Sequence, residues 1–177
     1  MVIAAVKDAR EFMQACRSEV QMIFWLSPSI LTLDSMIQTA HASGKQIFLH
    51  MDLAEGIGKD REGLFYVKKS GADGIISTRV NMIKAAREVG LHTVQRFFMV
   101  DSHSVNTALE GIRASKTEMV EVMPGIVTKV IADLHQKLTI PIIAGGLISC
   151  EQEVKAALVS GAYAVSTSST ALWNRKR

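Results

Sequence analysis

The feature that most constrains this chain is its rhythm: eight short runs rich in β-branched and apolar residues recur across 177 residues, with a helical pattern after each. The runs lie at 2–6, 21–26, 45–52 and 74–78, then at 92–100, 119–124, 140–146 and 163–168. Most are apolar at consecutive positions, which suits parallel strands covered on both faces rather than half-exposed ones. Helical segments are predicted near 8–18, 29–43, 60–70, 80–89, 102–115, 126–138 and 150–160, with a short last one opening at Ser169. In 126–138 the residues Ile126, Val127, Val130, Ile131, Leu134 and Leu138 recur at helical spacing. Asp60 is placed to cap one helix, and Gly44, Gly71, Gly90 and Gly161 to supply left-handed turns at the ends of four.

Two folds follow such an alternation, a closed (β/α)8 TIM-type barrel and an open doubly wound sheet. Barrels usually need about 200 residues or more, and here each unit has barely the length of a strand, a helix and two tight turns. The even spacing, with nothing dividing it into halves, favours the barrel. A single α/β barrel domain is therefore expected over 1–173, followed by a short basic C-terminal tail, Asn174-Arg175-Lys176-Arg177. Hydrophobic residues make up 48% and charged residues 21%, a globular balance with no apolar run long enough for a membrane span. The first apolar stretch meets Lys7, Asp8 and Arg10 too soon for a signal-peptide core. Cys16 and Cys150 make no metal-type pair, so a cytoplasmic protein with reduced thiols is expected.

In such barrels ligands bind at the C-terminal ends of the strands. After the seventh run stand Gly145 and Gly146, whose backbone N–H groups no side chain obstructs; after the eighth stand Ser166, Thr167, Ser168 and Ser169. A phosphate is often held by these two loops, so Gly145, Gly146, Thr167 and Ser168 are predicted to hold one, the bland alternative being a tight turn and a capped helix. His50 and Asp52, two apart on the third run, share a strand face. They suit an acid/base pair, metal ligands, binders of ligand hydroxyls, or a polar pair at the barrel mouth. Arg79 follows the fourth run, and Arg96 lies inside the fifth, where a buried arginine needs a partner. Glu121 on the sixth run is a candidate partner, as a structural bridge or as part of an anion site; Gly125 lies in the turn after it. The segment 53–60, with Gly56 and Gly58, lacks P-loop spacing and reads as a mobile loop over the site. His41, His92, His103 and His135 show no metal-ligand spacing, and neither a metal nor a cofactor is expected.

Taken together, six strand-end segments carry a resemblance. HMDLAEGI (50–57), GIISTR (74–79), VQRFFMVD (94–101), VEVMPG (120–125), IIAGG (142–146) and VSTS (165–168) resemble the glycerol-3-phosphate responsive antiterminators of the bacterial glycerol uptake operon. The likeness runs in order along nearly the whole chain. It implies a barrel, glycerol 3-phosphate as effector, and control of transcription through a leader messenger RNA. His50, Asp52, Arg79, Arg96, Glu121 and Gly125 would then make the polar contacts to that effector.

Three readings compete: a non-enzymatic sensor whose effector favours an RNA-competent state, a barrel enzyme such as an isomerase or glycerol-phosphate transferase, and an interaction protein with a vestigial pocket. No lysine suited to Schiff-base chemistry stands at a strand end, which argues against that type of lyase. The net charge of +3 permits an RNA partner without requiring one. Lys68, Lys69, Lys84 and Arg87 fall on consecutive helices and are the candidate RNA contacts, though a solvated face explains them equally well; no stacking platform is visible in the composition. A homo-oligomer is compatible with the sequence.

Overall fold

The structure, a computed structural model, describes residues 1–174. Eight parallel strands close on themselves in sequence order, each paired to the next and the last to the first. They are β1 (Val2–Val6), β2 (Met22–Trp25), β3 (Gln46–His50), β4 (Gly74–Ser77), β5 (His92–Phe98), β6 (Met119–Met123), β7 (Ile142–Gly145) and β8 (Ala164–Thr167). The outer ring holds α1 (Ala9–Arg17), α2 (Leu33–Ala42), α3 (Arg61–Lys69), α4 (Val80–Glu88), α5 (Ser102–Ser115), α6 (Thr128–Lys137) and α7 (Glu151–Val159). The closed barrel, not the open sheet, is the fold. The strands are short, four to seven residues, which is how eight units fit in so small a chain.

Successive strand residues point to opposite faces, and the packing divides accordingly. Ile3, Ala5, Met22, Phe24, Phe48, Ile76, Val94, Ile143 and Ala164 form the plug inside the barrel. The alternate residues, such as Ala4, Ile23, Ile47, Ile75, Val120 and Val165, pack outward against the helices in two further clusters. Gly74 is demanded by the plug, since a Cβ there would run into the Phe48 ring. Asp60 caps α3 by accepting from the Gly63 amide at 2.9 Å. Gly44, Gly71, Gly90 and Gly161 have φ between +70° and +103°, as the helix-end pattern predicts.

Several boundaries differ from the sequence expectation, for a shared reason. Strand pairing stops where the chain turns over the barrel rim, so the polar strand ends predicted at 51–52, 99–100 and 168 lie beyond the ladder. Asp52 in particular is not on the strand with His50 but in a 3-10 turn, Met51–Leu53. The helix expected from Ser169 is a single 3-10 turn, Thr170–Leu172. There the chain packs back beside α1: the Trp173 indole Nε1 donates to the Thr167 carbonyl at 2.9 Å, and Trp173 is buried in the cluster that holds Phe12. Asn174, assigned to the tail, accepts from the Glu19 amide at 3.2 Å; Arg175, Lys176 and Arg177 lie outside the described residues.

Candidate functional site at the barrel mouth

At the C-terminal rim the inward positions change from apolar to polar. His50 follows Phe48 on β3, Arg96 follows Val94 on β5, and Glu121, Gly145 and Ser166 follow Met119, Ile143 and Ala164 on β6, β7 and β8. All four polar side chains are buried, Glu121 to 1% exposure. The Arg96 Nε donates to Glu121 Oε2 at 2.6 Å, and the Ser166 hydroxyl donates to Glu121 Oε1 at 2.5 Å. The strand register sets Arg96 directly beside Glu121, so the bridge expected from sequence is present. Both carboxylate oxygens and the guanidinium are satisfied, the condition under which a buried ion pair is tolerated.

Gly145 lacks a side chain for a different reason from the one its neighbourhood suggested. A Cβ there would collide with the Glu121 carboxylate and the Ser166 hydroxyl. The glycine thus makes room for the ion-pair network, and its carbonyl, with that of Gly146, accepts from the Gly125 amide. Gly146 has φ +77° and Leu147 φ +61°. A leucine in that region costs on the order of 1–2 kcal/mol, and strain of this kind gathers at functional loops. The next amides, of Ser149 and Cys150, are taken by the Glu153 carboxylate, at 2.7 and 3.1 Å. These two amides at the start of α7 are therefore already taken and are not on offer to a ligand.

His50 holds the open valence of the site. Its Nε2 lies 3.4 Å from Arg96 Nη1 and 3.9 Å from Asp52 Oδ2. Arginine only donates, so Nε2 is the acceptor and the proton sits on Nδ1, which is buried and has no partner. Burial, then the Arg96 charge, hold the imidazole pKa down at about 4, against the smaller opposing pull of Asp52. His50 is thus neutral at pH 7.

Asp52 is engaged elsewhere. It accepts from the Ser77 hydroxyl at 2.6 Å, the Thr78 amide at 2.7 Å and the Thr78 hydroxyl at 2.8 Å. Burial pushes its carboxyl up, but these hydrogen bonds outweigh it and leave the pKa below the usual carboxylate range. Arg79, half exposed, brings its Nε to 3.7 Å from Asp52. Asp52 therefore ties the turn after β4 to the turn after β3, and through it Arg79 joins the mouth.

Of the predicted phosphate donors, Thr167 is buried with its hydroxyl donating to the Ile148 carbonyl at 2.6 Å, away from the plug. Ser168 is exposed, one residue past the end of β8. The inward hydroxyl of β8 is Ser166, which was not singled out; its period-two spacing from Ala164 was the available signal. Ser77, the anchor of Asp52, was missed in the same way. The loop 53–60 is fastened to the β2–α2 connection by Glu55, whose amide donates to Pro28 and whose carbonyl accepts from Ile30. Among the described residues no group of three or more metal-type side chains gathers, and no helix is long and apolar enough to cross a membrane.

The sequence model of the glycerol-3-phosphate responsive antiterminators matches residues 2–173. The chain belongs to that family. It is 37% identical over 173 residues to the protein YgcP of Escherichia coli (strain K12), across 97% of this chain and 91% of the relative. Among solved structures it is similar to the glycerol uptake operon antiterminator regulatory protein from Listeria monocytogenes str. 4b F2365, with a TM-score of 0.91, 33% identity, and 97% and 94% of the two chains covered. A glycerol uptake operon antiterminator-related protein from Thermotoga maritima MSB8 gives a TM-score of 0.87 at 34% identity, over 97% and 96% of the chains. Barrel enzymes such as orotidine 5'-phosphate decarboxylase are similar at 19% identity, a likeness of fold alone.

Proposed function

We propose that this antiterminator-family barrel is a cytoplasmic sensor that binds glycerol 3-phosphate at its mouth without consuming it, and that binding favours a state that engages leader messenger RNA of glycerol catabolism genes. The observation that carries the reading is the His50–Arg96–Glu121–Ser166 network, with the His50 Nδ1–H left as a buried donor without a partner. A buried donor of this kind is costly until a ligand acceptor meets it. In this reading the effector phosphate lies over the Gly145-Gly146 turn, beside Thr167 and Ser168, and within the field of Arg96. The glycerol hydroxyls meet His50 and the Asp52–Arg79 side of the mouth, next to Glu121 and Gly125. A site that pairs hydroxyls in a buried setting discriminates strongly against analogues lacking them. The effector shifts the equilibrium only by its preference for one state over the other, and RNA and effector must strengthen each other's binding equally.

Calorimetric titration with glycerol 3-phosphate, glycerol and inorganic phosphate tests the site: the first binds, the other two bind poorly. An NMR time course of glycerol 3-phosphate with the protein separates sensing from catalysis. Steady conversion to another compound establishes the alternative, a barrel enzyme acting on a phosphorylated substrate. RNA affinity unchanged by the effector removes the regulatory part of the reading.

A further inference from the structure

Beside the mouth, between α3 and α4, runs an open groove of about 550 Å³ lined by Lys59, Arg61, Arg79 and Asn81, among others. Three cations line it against one carboxylate, Asp60, which is already committed to capping α3. Arg79 is shared with the mouth, where its Nε lies 3.7 Å from Asp52. The groove thus adjoins the candidate effector site.

The α3 wall adds a feature that composition conceals. Arg61, Phe65 and Lys68 fall at i, i+4 and i+7, one stripe of the helix. The stripe faces α4, because Arg61 lines the groove and the Lys68 Nζ donates to the carbonyl of Gly90, just past the end of α4, at 2.6 Å. Phe65, between them in sequence, does not line the groove itself; it is 45% exposed and stands beside it, with the guanidinium of the lining Arg61 5.5 Å from its ring centroid. A large exposed ring between cations has little to recommend it for stability. It is the arrangement by which proteins hold single strands, with cations along the phosphates and an aromatic face under a base.

We infer that the α3–α4 groove is the surface that takes single-stranded RNA, with Lys59, Arg61 and Arg79 along the phosphates and Phe65 stacked on a base. The inference rests on the RNA-binding reading above and gives it a location. It differs from the contacts expected from sequence: Lys68 is tied to Gly90, and Lys69, Lys84 and Arg87 are exposed on the same two helices, toward the periphery of the groove.

The test is fluorescence anisotropy of the full chain with a short labelled oligouridylate, over a series of salt concentrations. Each phosphate contact on a single strand contributes about 0.7 to the slope of log affinity against log salt. Arg61→Ala/Arg79→Ala is expected to flatten the slope by about 1.4. Lys129→Ala/Lys155→Ala, which removes the same charge from α6 and α7, is expected to leave it unchanged. Phe65→Ala is expected to weaken binding by about five- to a hundredfold, the worth of one stacked base, with the slope retained. Phe65 is too exposed for its removal to unfold the barrel, and circular dichroism checks each variant. If the native protein binds neither the oligouridylate nor the leader transcript, the RNA reading itself fails and the inference with it. If it binds and the groove variants behave like Lys129→Ala/Lys155→Ala, the surface lies elsewhere and the inference alone is overturned.

Discussion

Replacing Glu121 with Gln tests the core of the site without changing its shape. Glu121 is 1% exposed, with Arg96 Nε on one oxygen at 2.6 Å and the Ser166 hydroxyl on the other at 2.5 Å. Glutamine keeps an acceptor for Arg96 and can turn its NH2 to the Ser166 hydroxyl, which also accepts, but it leaves the Arg96 guanidinium buried with no counter-charge. Breaking a buried pair in this way costs about 3–5 kcal/mol, a large share of the roughly 5–15 kcal/mol that holds a domain together. For a chain of this size each kcal/mol lowers Tm by about 2–4 °C, so a fall of roughly 6–20 °C is expected. Arg96→Met leaves the carboxylate stranded instead, and the double variant Glu121→Gln/Arg96→Met should cost less than the sum by up to about 3 kcal/mol. Urea unfolding is the assay, read by far-UV circular dichroism and by fluorescence of Trp25 and Trp173, both buried and so sensitive to loss of packing. A loss below about 1 kcal/mol for Glu121→Gln, with an unchanged m value, would place the pair among exposed bridges and refute the argument.

The remaining predictions concern the same rim. His50 has a folded pKa of about 4, below the ordinary 6.5, so its contribution is fully present above pH 6.5 and is lost as pH falls from there toward 4. Native protein should lose about 1–2 kcal/mol more than His50→Gln between pH 7 and pH 5 in urea titrations; equal losses would mean that the imidazole is not held neutral. Gly145→Ala should cost about 1–3 kcal/mol and weaken effector binding, because the methyl displaces the Glu121 carboxylate; a fully stable variant would show the network to be looser than drawn. Leu147, 70% exposed at φ +61°, should gain up to about 1 kcal/mol on change to Gly. A thermal scan that shows destabilisation would mean that the leucine packs usefully.

The barrel was legible because its signals are local and repeated. Eight apolar runs, a capping Asp60 and four helix-end glycines all point the same way, and each is dictated by backbone geometry within a few residues. The Arg96–Glu121 bridge was legible because an arginine inside an apolar strand has few ways to be satisfied. What the sequence hid is which neighbour a polar rim residue chooses. Asp52 looked like a strand-face partner of His50, but the chain leaves the ladder after His50, and the carboxylate turns to Ser77 and Thr78 across the gap between two turns. Thr167 and Ser166 differ by one residue, and only the barrel's inside–outside alternation decides that Ser166 reaches Glu121 while Thr167 braces Ile148. The groove was hidden for the same reason, since Phe65 in a helix reads as core until its face is seen to be exposed.

The sensor reading proposed above is consistent with how the hydrogen-bond capacity of the mouth is already used. A general base needs an acceptor that is free to take a proton from substrate. Both oxygens of Glu121 are occupied by Arg96 and Ser166, and both oxygens of Asp52 by Ser77 and Thr78. The one neutral nitrogen of His50 that accepts is turned to Arg96. What the network leaves to a newcomer is of the opposite kind: the buried His50 Nδ1–H, beside the Arg96 guanidinium. A buried donor beside a cation suits a ligand rich in acceptors, which a phosphate ester is. In the proposed reading the effector completes the network that His50 leaves open.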